Sequence, residues 1–382
     1  MKILYDLRAY QYYEKRGIGR YIYEIFTRIM RANRETIYAL VENCIDEPAL
    51  PEDLAERVCF CNIDNFLADE YPNGFFDVLI NGAALQLSND GGPLEWIYPP
   101  KVQQSCKIIT CILYDFIPLL FDYCCKDEGS RILFAIQMEA TRYVDHIFAI
   151  SLFTQCSGMR YLYRPAEDFT CLYGGADETL FHSQNSNQPF DAGIRGNHLI
   201  YISGDAYHKN NPGLVRAFCQ ARNNGSLPED ASLYIVCRAS DEMIDHLRQE
   251  TQSGSCRFGK DVIVTNYIPD EEMVTLLSTA RASVFPSFYE GLGLPILESY
   301  VAGTPCWASN VSATREFVLA ECSFDPFDQD AMVSAIERIY ADDAICARSL
   351  EFGRKLIQTV NWDAAAEKML NKLQTLTQSN VR

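Results

Sequence analysis

Phe285 to Glu298 reads F-P-S-F-Y-E-G-L-G-L-P-I-L-E, and the fold class follows from how this stretch is read. Ala282–Phe285 is a short apolar run of strand type, and Pro295–Ala302 is a short helical run stopped by Gly303. A strand therefore passes through a glycine turn into a helix. Pro295 suits the first helical position, because its absent N–H would be unpaired there anyway. Such a βα turn aims amides and a helix N-terminus beyond the strand end, which favours an anion. Gly291 and Gly293 lack the side chains that would hold a ligand away from the backbone. Glu290 and Glu298 stand on either side of this turn, so the segment suits a polyhydroxylated molecule that also carries phosphate. The plainer reading is an ordinary βα turn, with Glu298 supporting the helix start and Glu290 a solvated loop charge.

The whole segment resembles the donor-site motif of family 4 glycosyltransferases, two glutamates separated by seven residues. The likeness continues through Ala302-Gly303-Thr304-Pro305 and Ala308-Ser309-Asn310. It spans nearly the whole chain and is strongest over 262–318. The fold it implies is α/β of the GT-B type: two Rossmann-like domains facing each other across a cleft, with the C-terminal helix crossing back to the N-terminal domain.

Composition agrees with a folded two-domain protein. The 382 residues are too many for one ordinary core, and 48% are hydrophobic against 22% charged. A net charge of -18 excludes nucleic acid as a natural partner and disfavours loose docking on an anionic membrane. Many of the 15 cysteines, Cys111, Cys171, Cys237 and Cys306 among them, sit in or beside apolar strand-like runs. There they act as small hydrophobes. There is no C-x-x-C pair and no zinc spacing. The start, Met1-Lys2-Ile3-Leu4-Tyr5-Asp6, reads as a strand rather than a signal peptide, so the expected compartment is the reducing cytoplasm. The most apolar region, 108–125, is interrupted by Asp115, Pro118 and Asp122, too early for a membrane span.

Along the chain, β-rich runs alternate with amphipathic stretches, the pattern of parallel sheets flanked by helices. Strands are expected at 2–7, 37–41, 58–61, 78–80, 107–113, 146–150 and 169–172, with helices near 19–32, 131–143 and 153–163. Residues 183–197 lose the pattern and read as a linker between a domain over 1–182 and one over 198–361. In the second domain, strands at 198–203, 233–236, 262–264, 282–285 and 305–308 accompany a helix over 212–221. A terminal helix and tail over 362–382 carry Ala366, Met369, Leu370 and Leu373 at helical spacing. Periodicity alone leaves that helix free to pack on either domain.

Other segments bear chemistry. Arg16-Gly17-Ile18-Gly19-Arg20-Tyr21 opens the first helix, and Gly17 and Gly19 would let amides approach a phosphate, though a third glycine is missing. By resemblance this loop faces the donor's diphosphate and sugar. Ser203-Gly204-Asp205-Ala206-Tyr207-His208-Lys209-Asn210 leaves a strand and enters a helix. A cation there neutralises a leaving diphosphate, and Lys209 matches the family's phosphate-binding lysine. Asp205 departs from the family pattern, which has arginine; a carboxylate repels phosphate, so a second cation is sought among His208, Arg238 and Arg20. Tyr114-Asp115-Phe116 stands where many relatives carry His-Asp-Leu. Tyr114 either binds sugar hydroxyls or closes the core, and Asp115 lies at a strand's carboxyl end, where α/β sites form. Asn266-Tyr267-Ile268-Pro269-Asp270 resembles the base-reading loop and also suits a helix start. Tyr173-Gly174-Gly175-Ala176-Asp177 matches a family turn and reads as a tight turn before the linker. Asp328-Gln329-Asp330 imitates a D-x-D metal motif, but it precedes a helix and caps it.

The resemblance implies a retaining, metal-independent glycosyltransferase with no cofactor, the nucleotide sugar being a substrate. Glu298 would bind the ribose, and Glu290 with Gly291, Leu292, Gly293 and Leu294 would hold the donor sugar and diphosphate. Lys209 would stabilise the leaving group, with Arg238, Tyr267 and Ile268 as further donor contacts and Tyr114 and Asp115 near the reaction. The D-L-R-A-Y-Q opening, the G-I-G-R-Y loop and the Y-D-F-I-P segment resemble bacterial O-antigen and exopolysaccharide enzymes, which favours GDP-mannose. The acceptor is then a glycan or lipid-linked glycan, with peripheral membrane contact through it at the inner face. The alternatives are a UDP-hexose donor and a catalytically silent nucleotide-sugar or glycan-binding homologue.

Overall fold

The computed structural model describes residues 1–13, 17–43, 45–85, 100–125, 127–176, 191, 193, 195–252, 256–266 and 268–379. The chain forms two compact units, Met1–Gly174 together with Asn361–Arg382, and Gly175–Val360.

The first unit holds seven strands: β1 (Ile3–Asp6), β2 (Ile37–Leu40), β3 (Val58–Cys61), β4 (Phe76–Ala84), β5 (Cys106–Leu113), β6 (His146–Ala149) and β7 (Phe169–Cys171). They pair in the order β3-β2-β1-β4-β5-β6-β7, every pair parallel. The second unit holds six: β8 (His198–Ile202), β9 (Ser232–Val236), β10 (Val262–Thr265), β11 (Ala282–Phe285), β12 (Cys306–Ser309) and β13 (Ser323–Phe324). Their order is β10-β9-β8-β11-β12-β13, again all parallel. Both are doubly wound sheets, and in each the strand order reverses beside the first strand of the unit. A ligand crevice opens at the carboxyl ends of the strands at such a reversal. The reversal falls between β1 and β4 in the first unit and between β8 and β11 in the second.

Helices cover both faces of a parallel sheet, so its inner strands bury both sides. β1, β6, β11 and β12 are buried at every position. β4 extends well beyond the expected 78–80, and its pairing with β5 shifts register between Asn81 and Ala84. Gly82 explains the local sequence: a Cβ there would lie 2.6 Å from the Asp6 carbonyl oxygen.

The helix Gly17–Ala32 buries Tyr21, Ile22, Ile25, Phe26, Ile29 and Met30 along one stripe. Against it packs the terminal helix, Trp362–Ser379, which buries Trp362, Ala365, Ala366, Met369 and Leu373. The Trp362 and Tyr21 rings meet edge to face at 5.1 Å, and Arg28 Nε donates to Asp363 Oδ1 at 2.6 Å. The chain's last helix thus belongs to the first unit. The helices Arg8–Tyr13, Asp241–Gln252 and Asp343–Thr359 and the two-residue β13 were not anticipated from the sequence.

Candidate active site

In the second unit the reversal between β8 and β11 brings two loops together. The loop after β8 carries Lys209 and the loop after β11 carries Glu290. Lys209 Nζ donates to Glu290 Oε1 at 2.8 Å and to Oε2 at 2.9 Å. Both side chains are largely buried, at 25% and 17% exposure. Burial pushes the Glu290 carboxyl up, but Lys209, His208 and the Ser287 hydroxyl together outweigh it and hold the pKa below the usual value. Glu290 is therefore a carboxylate at neutral pH.

A polar frame fixes the pair. Ser287 Oγ donates to Glu290 Oε1 at 2.7 Å and lies 3.0 Å from the Tyr201 hydroxyl, which itself donates to the Lys209 carbonyl at 2.8 Å. The Glu290 amide donates to Ser312 Oγ at 2.9 Å. Asn210, in the left-handed region at φ 55°, donates from Nδ2 to the Pro286 carbonyl at 3.2 Å and to the Pro326 carbonyl at 3.4 Å. The Phe288 amide donates to the His208 carbonyl at 2.7 Å. Tyr201, Ser287, Asn210 and Ser312 were not singled out from the sequence. Ser287 stood inside the opening motif, but a serine beside a glutamate carries no signal until the fold turns one onto the other.

The glycine turn behaves as its composition suggests. Gly293 has φ 103° and caps the helix Leu294–Val301, so Pro295 falls at the second helical position rather than the first. Gly291 and Leu292 are buried and Leu294 is half-buried. Glu298 is half-buried on that helix, one turn on from Leu294, and its carbonyl accepts from the Ala302 amide at 2.9 Å.

The residues around Lys209 take definite roles. Asp205 is exposed, and its Oδ2 accepts from the Ser240 amide at 2.7 Å, tying the β8 loop to the β9 loop. That β9 loop carries Arg238, which is exposed and has no ion pair among the described residues. His208 is buried, and burial pulls its pKa down to about 4 against a smaller upward pull from Glu290. It is neutral at pH 7 with Glu290 as the anion beside it. Ile268 is half-buried beyond the edge strand β10, beside the helix Asp270–Thr279, whose first turn carries Asp270, Glu271 and Glu272. Tyr267, Asp177, Arg16 and most of the expected linker lie outside the described residues. Asp328 caps the helix Gln329–Ala341, its Oδ1 accepting from the Asp330 amide at 2.9 Å and the Ala331 amide at 3.2 Å.

Tyr114 is a core residue: it is 3% exposed, its hydroxyl donates to the Gly82 carbonyl at 2.9 Å, and its ring meets Tyr21 edge to face at 5.4 Å. Burial pushes its pKa far up, so its hydroxyl stays protonated. Asp115 Oδ1 accepts from the Ile117 amide at 2.9 Å and helps start the short helix Ile117–Leu120. Gly17 and Gly19 form the first turn of the helix Gly17–Ala32, with Gly17 exposed and Gly19 buried, rather than a loop ahead of it. Arg20 sits in that same turn, in the first unit. Beside β1, Asp6 and Arg8 form a buried bidentate pair, with Arg8 Nε to Asp6 Oδ1 at 3.0 Å and Nη2 to Oδ2 at 2.9 Å.

Residues 196–342 match the family described as Glycosyl transferases group 1. Over 113 residues the chain is 38% identical to O-antigen chain mannosyltransferase B of Escherichia coli, covering 29% of each protein. Over 199 residues it is 27% identical to the MMP alpha-(1->4)-mannosyltransferase of Mycolicibacterium hassiacum, covering 50% of this chain and 44% of that one. The chain thus spans less than half the length of these curated relatives. Among solved structures, Anabaena HepE in complex with UDP and glucose superposes with a TM-score of 0.71 at 13% identity, over 98% of this chain and 100% of that one. Sucrose-phosphate synthase from Thermosynechococcus elongatus superposes with a TM-score of 0.72 at 18% identity, over 99% and 100%. The family match covers less than half of the chain and is a likeness to the group 1 glycosyltransferases, and the chain as a whole has the GT-B fold.

Proposed function

We propose that this protein is a retaining, metal-independent glycosyltransferase that moves mannose from GDP-mannose to a glycan or lipid-linked glycan acceptor. The observation that carries the reading is the Lys209–Glu290 pair at the β8/β11 reversal, with Glu298 on the helix that follows. Lys209 and the helix N-termini beside it offer positive charge where a diphosphate leaves. Glu298 offers acceptor oxygens to a vicinal diol such as ribose. Glu290, held ionised, accepts from donor-sugar hydroxyls while it orients Lys209. In the reaction the bond between the anomeric carbon and the phosphate oxygen breaks. The acceptor oxygen bonds to that carbon on the same face, and its proton passes to the leaving phosphate. No enzyme nucleophile is needed, so the core position of Tyr114 is compatible with turnover. Arg238 is the candidate for the second phosphate cation.

The mannosyltransferase relatives support the choice of sugar, and contact with a membrane would come through a lipid-linked acceptor at its inner face. A second reading, a UDP-hexose donor, draws on the UDP and glucose bound in the Anabaena neighbour. A thermal-shift screen with GDP, UDP, ADP and dTDP separates the two. Ligand at about a hundred times its Kd stabilises the fold by about 2.7 kcal/mol, and GDP is expected to give the largest shift. Stabilisation by UDP instead would transfer the reading to UDP-hexoses, and no response to any of the four would sink it. Turnover of GDP-mannose in the presence of EDTA then tests metal independence.

A further inference from the structure

Exposed aromatic side chains scattered singly need no explanation; a contiguous set does. Among the described residues of the second unit, the exposed large hydrophobic side chains are Tyr207 at 72% and Phe327 at 70%. They are not scattered. Both rings contact Phe288: Phe327 stacks on it at 4.8 Å and 12°, and Tyr207 meets it at 5.6 Å and 40°. The three rings come from three loops at the carboxyl edge of the sheet, after β8, β11 and β13. The first two of these loops also carry Lys209 and Glu290. Hydrogen bonds hold the set in place, with the Phe288 amide donating to the His208 carbonyl at 2.7 Å and the Phe327 amide to Asp325 Oδ1 at 2.9 Å.

We infer that Tyr207, Phe288 and Phe327 form a glycan-binding subsite in the second unit, a platform on which a neutral oligosaccharide lies beside the Lys209–Glu290 pair. Exposed ring faces bind the apolar C–H faces of pyranoses, and nearby carboxylate oxygens accept their hydroxyls. The charge around the platform selects this occupant over a lipid surface. Asp325, Asp328 and Asp330 are exposed around Phe327, and the chain's net charge is -18, which repels anionic headgroups. Asp325 and Asp328 use one oxygen each for loop and helix amides, leaving the second oxygen of each to accept a hydroxyl. The subsite rests on the reading that the acceptor is a glycan.

The test is an NMR titration of the full chain with linear α-mannotetraose, for wild type, Tyr207→Ala/Phe327→Ala, and Tyr207→Phe/Phe327→Tyr. Loss of both rings is expected to weaken oligosaccharide binding by about ten-fold or more, while the ring-preserving variant binds as wild type does. The GDP-induced thermal shift is measured on each variant and stays unchanged if only the platform is altered. Unchanged oligosaccharide binding by the folded double-alanine variant overturns the subsite. So does wild-type binding to phosphatidylglycerol vesicles that the double-alanine variant loses. A wild type that responds to GDP but not to mannotetraose overturns the subsite and leaves the donor reading standing. Absence of any nucleotide response fails that reading separately.

Discussion

Lys209 and Glu290 illustrate how one contact joins stability to chemistry. Each is largely buried and each is the other's counter-ion, so removing one leaves an uncompensated charge in a poorly solvated place. Lys209→Met should cost about 3 kcal/mol, measured by urea unfolding, and Glu290→Ala somewhat less, because Lys209 is the more exposed partner. Both should reduce kcat with the donor by about 10²–10³-fold. The double variant should lose less stability than the sum of the singles. His208 adds a pH dependence whose sign follows from linkage. Its pKa is lowered to about 4 in the fold, so between the unfolded value near 6.5 and about 4 the unfolded chain binds the extra proton. Stability therefore falls as pH drops through that window, by on the order of 3 kcal/mol from this group when the whole window is crossed. Glu290, with its lowered pKa, adds a contribution present above its unfolded pKa and lost as pH falls through its folded one. Urea midpoints at pH 7 and pH 5 should differ clearly in wild type and less in His208→Gln, if that variant folds normally. An equal drop in both would remove His208 as the cause.

The helix Leu294–Val301 carries Glu298, and its placement depends on glycines at both its start and its back. At its start, Gly293 at φ 103° adopts a conformation that an alanine resists. At its back, Gly353 on the helix Asp343–Thr359 lies so close to Tyr300 that a Cβ would fall 1.9 Å from the ring. Gly353→Ala must therefore push the two helices apart. The expected result is a stability loss of about 2 kcal/mol or more and a raised KM for the donor, since Glu298, proposed to bind the ribose, moves with its helix. A normal KM in a folded Gly353→Ala protein would separate Glu298 from donor binding. Gly213 acts similarly in the helix Asn211–Asn223, where a Cβ would meet Asn210 Oδ1 at 2.2 Å. Asn210 is the residue that ties the β8, β11 and β13 loops together, so Gly213→Ala should loosen the site by displacing the Asn210 side chain from the Pro286 and Pro326 carbonyls.

For the molecule as a whole, the first unit is completed by residues that come last in the chain. Trp362 is 2% exposed and packs on Tyr21, whose hydroxyl donates to the Tyr173 carbonyl. Trp362→Ala should destabilise by about 3–5 kcal/mol. The loss should appear in the first unit: calorimetry is expected to give two transitions, of which the nucleotide-responsive one is least moved. A single transition shifted without change of shape would mean that the units unfold as one.

The parallel, doubly wound character of both units was legible in alternating apolar runs, since strands covered on both faces leave a continuous hydrophobic signature, as β1, β6, β11 and β12 do. The βα turn at Gly291–Leu294 was legible because glycine and proline restrict the backbone locally. Boundaries and short elements were not: β13 spans only Ser323–Phe324 and gains its place by pairing with β12. Nor were the partners of charged residues. Asp205 read as a carboxylate in place of the family's arginine, and nothing near it in sequence pointed to the Ser240 amide, 35 residues on, from which it accepts. Tyr114 read equally as a sugar contact or a core residue, and only its hydroxyl turned to Gly82, 32 residues back, chose the core. Ser287, Ser312 and Asn210 carried no signal and proved to frame the Glu290 loop. Local chemistry is written in neighbouring residues, so the sequence could specify strand, turn, helix and the kinds of group at the sheet's edge. Which of those groups face one another depends on contacts between residues distant along the chain, and only the folded sheet, through the reversal at β8 and β11, brings Lys209 and Glu290 together.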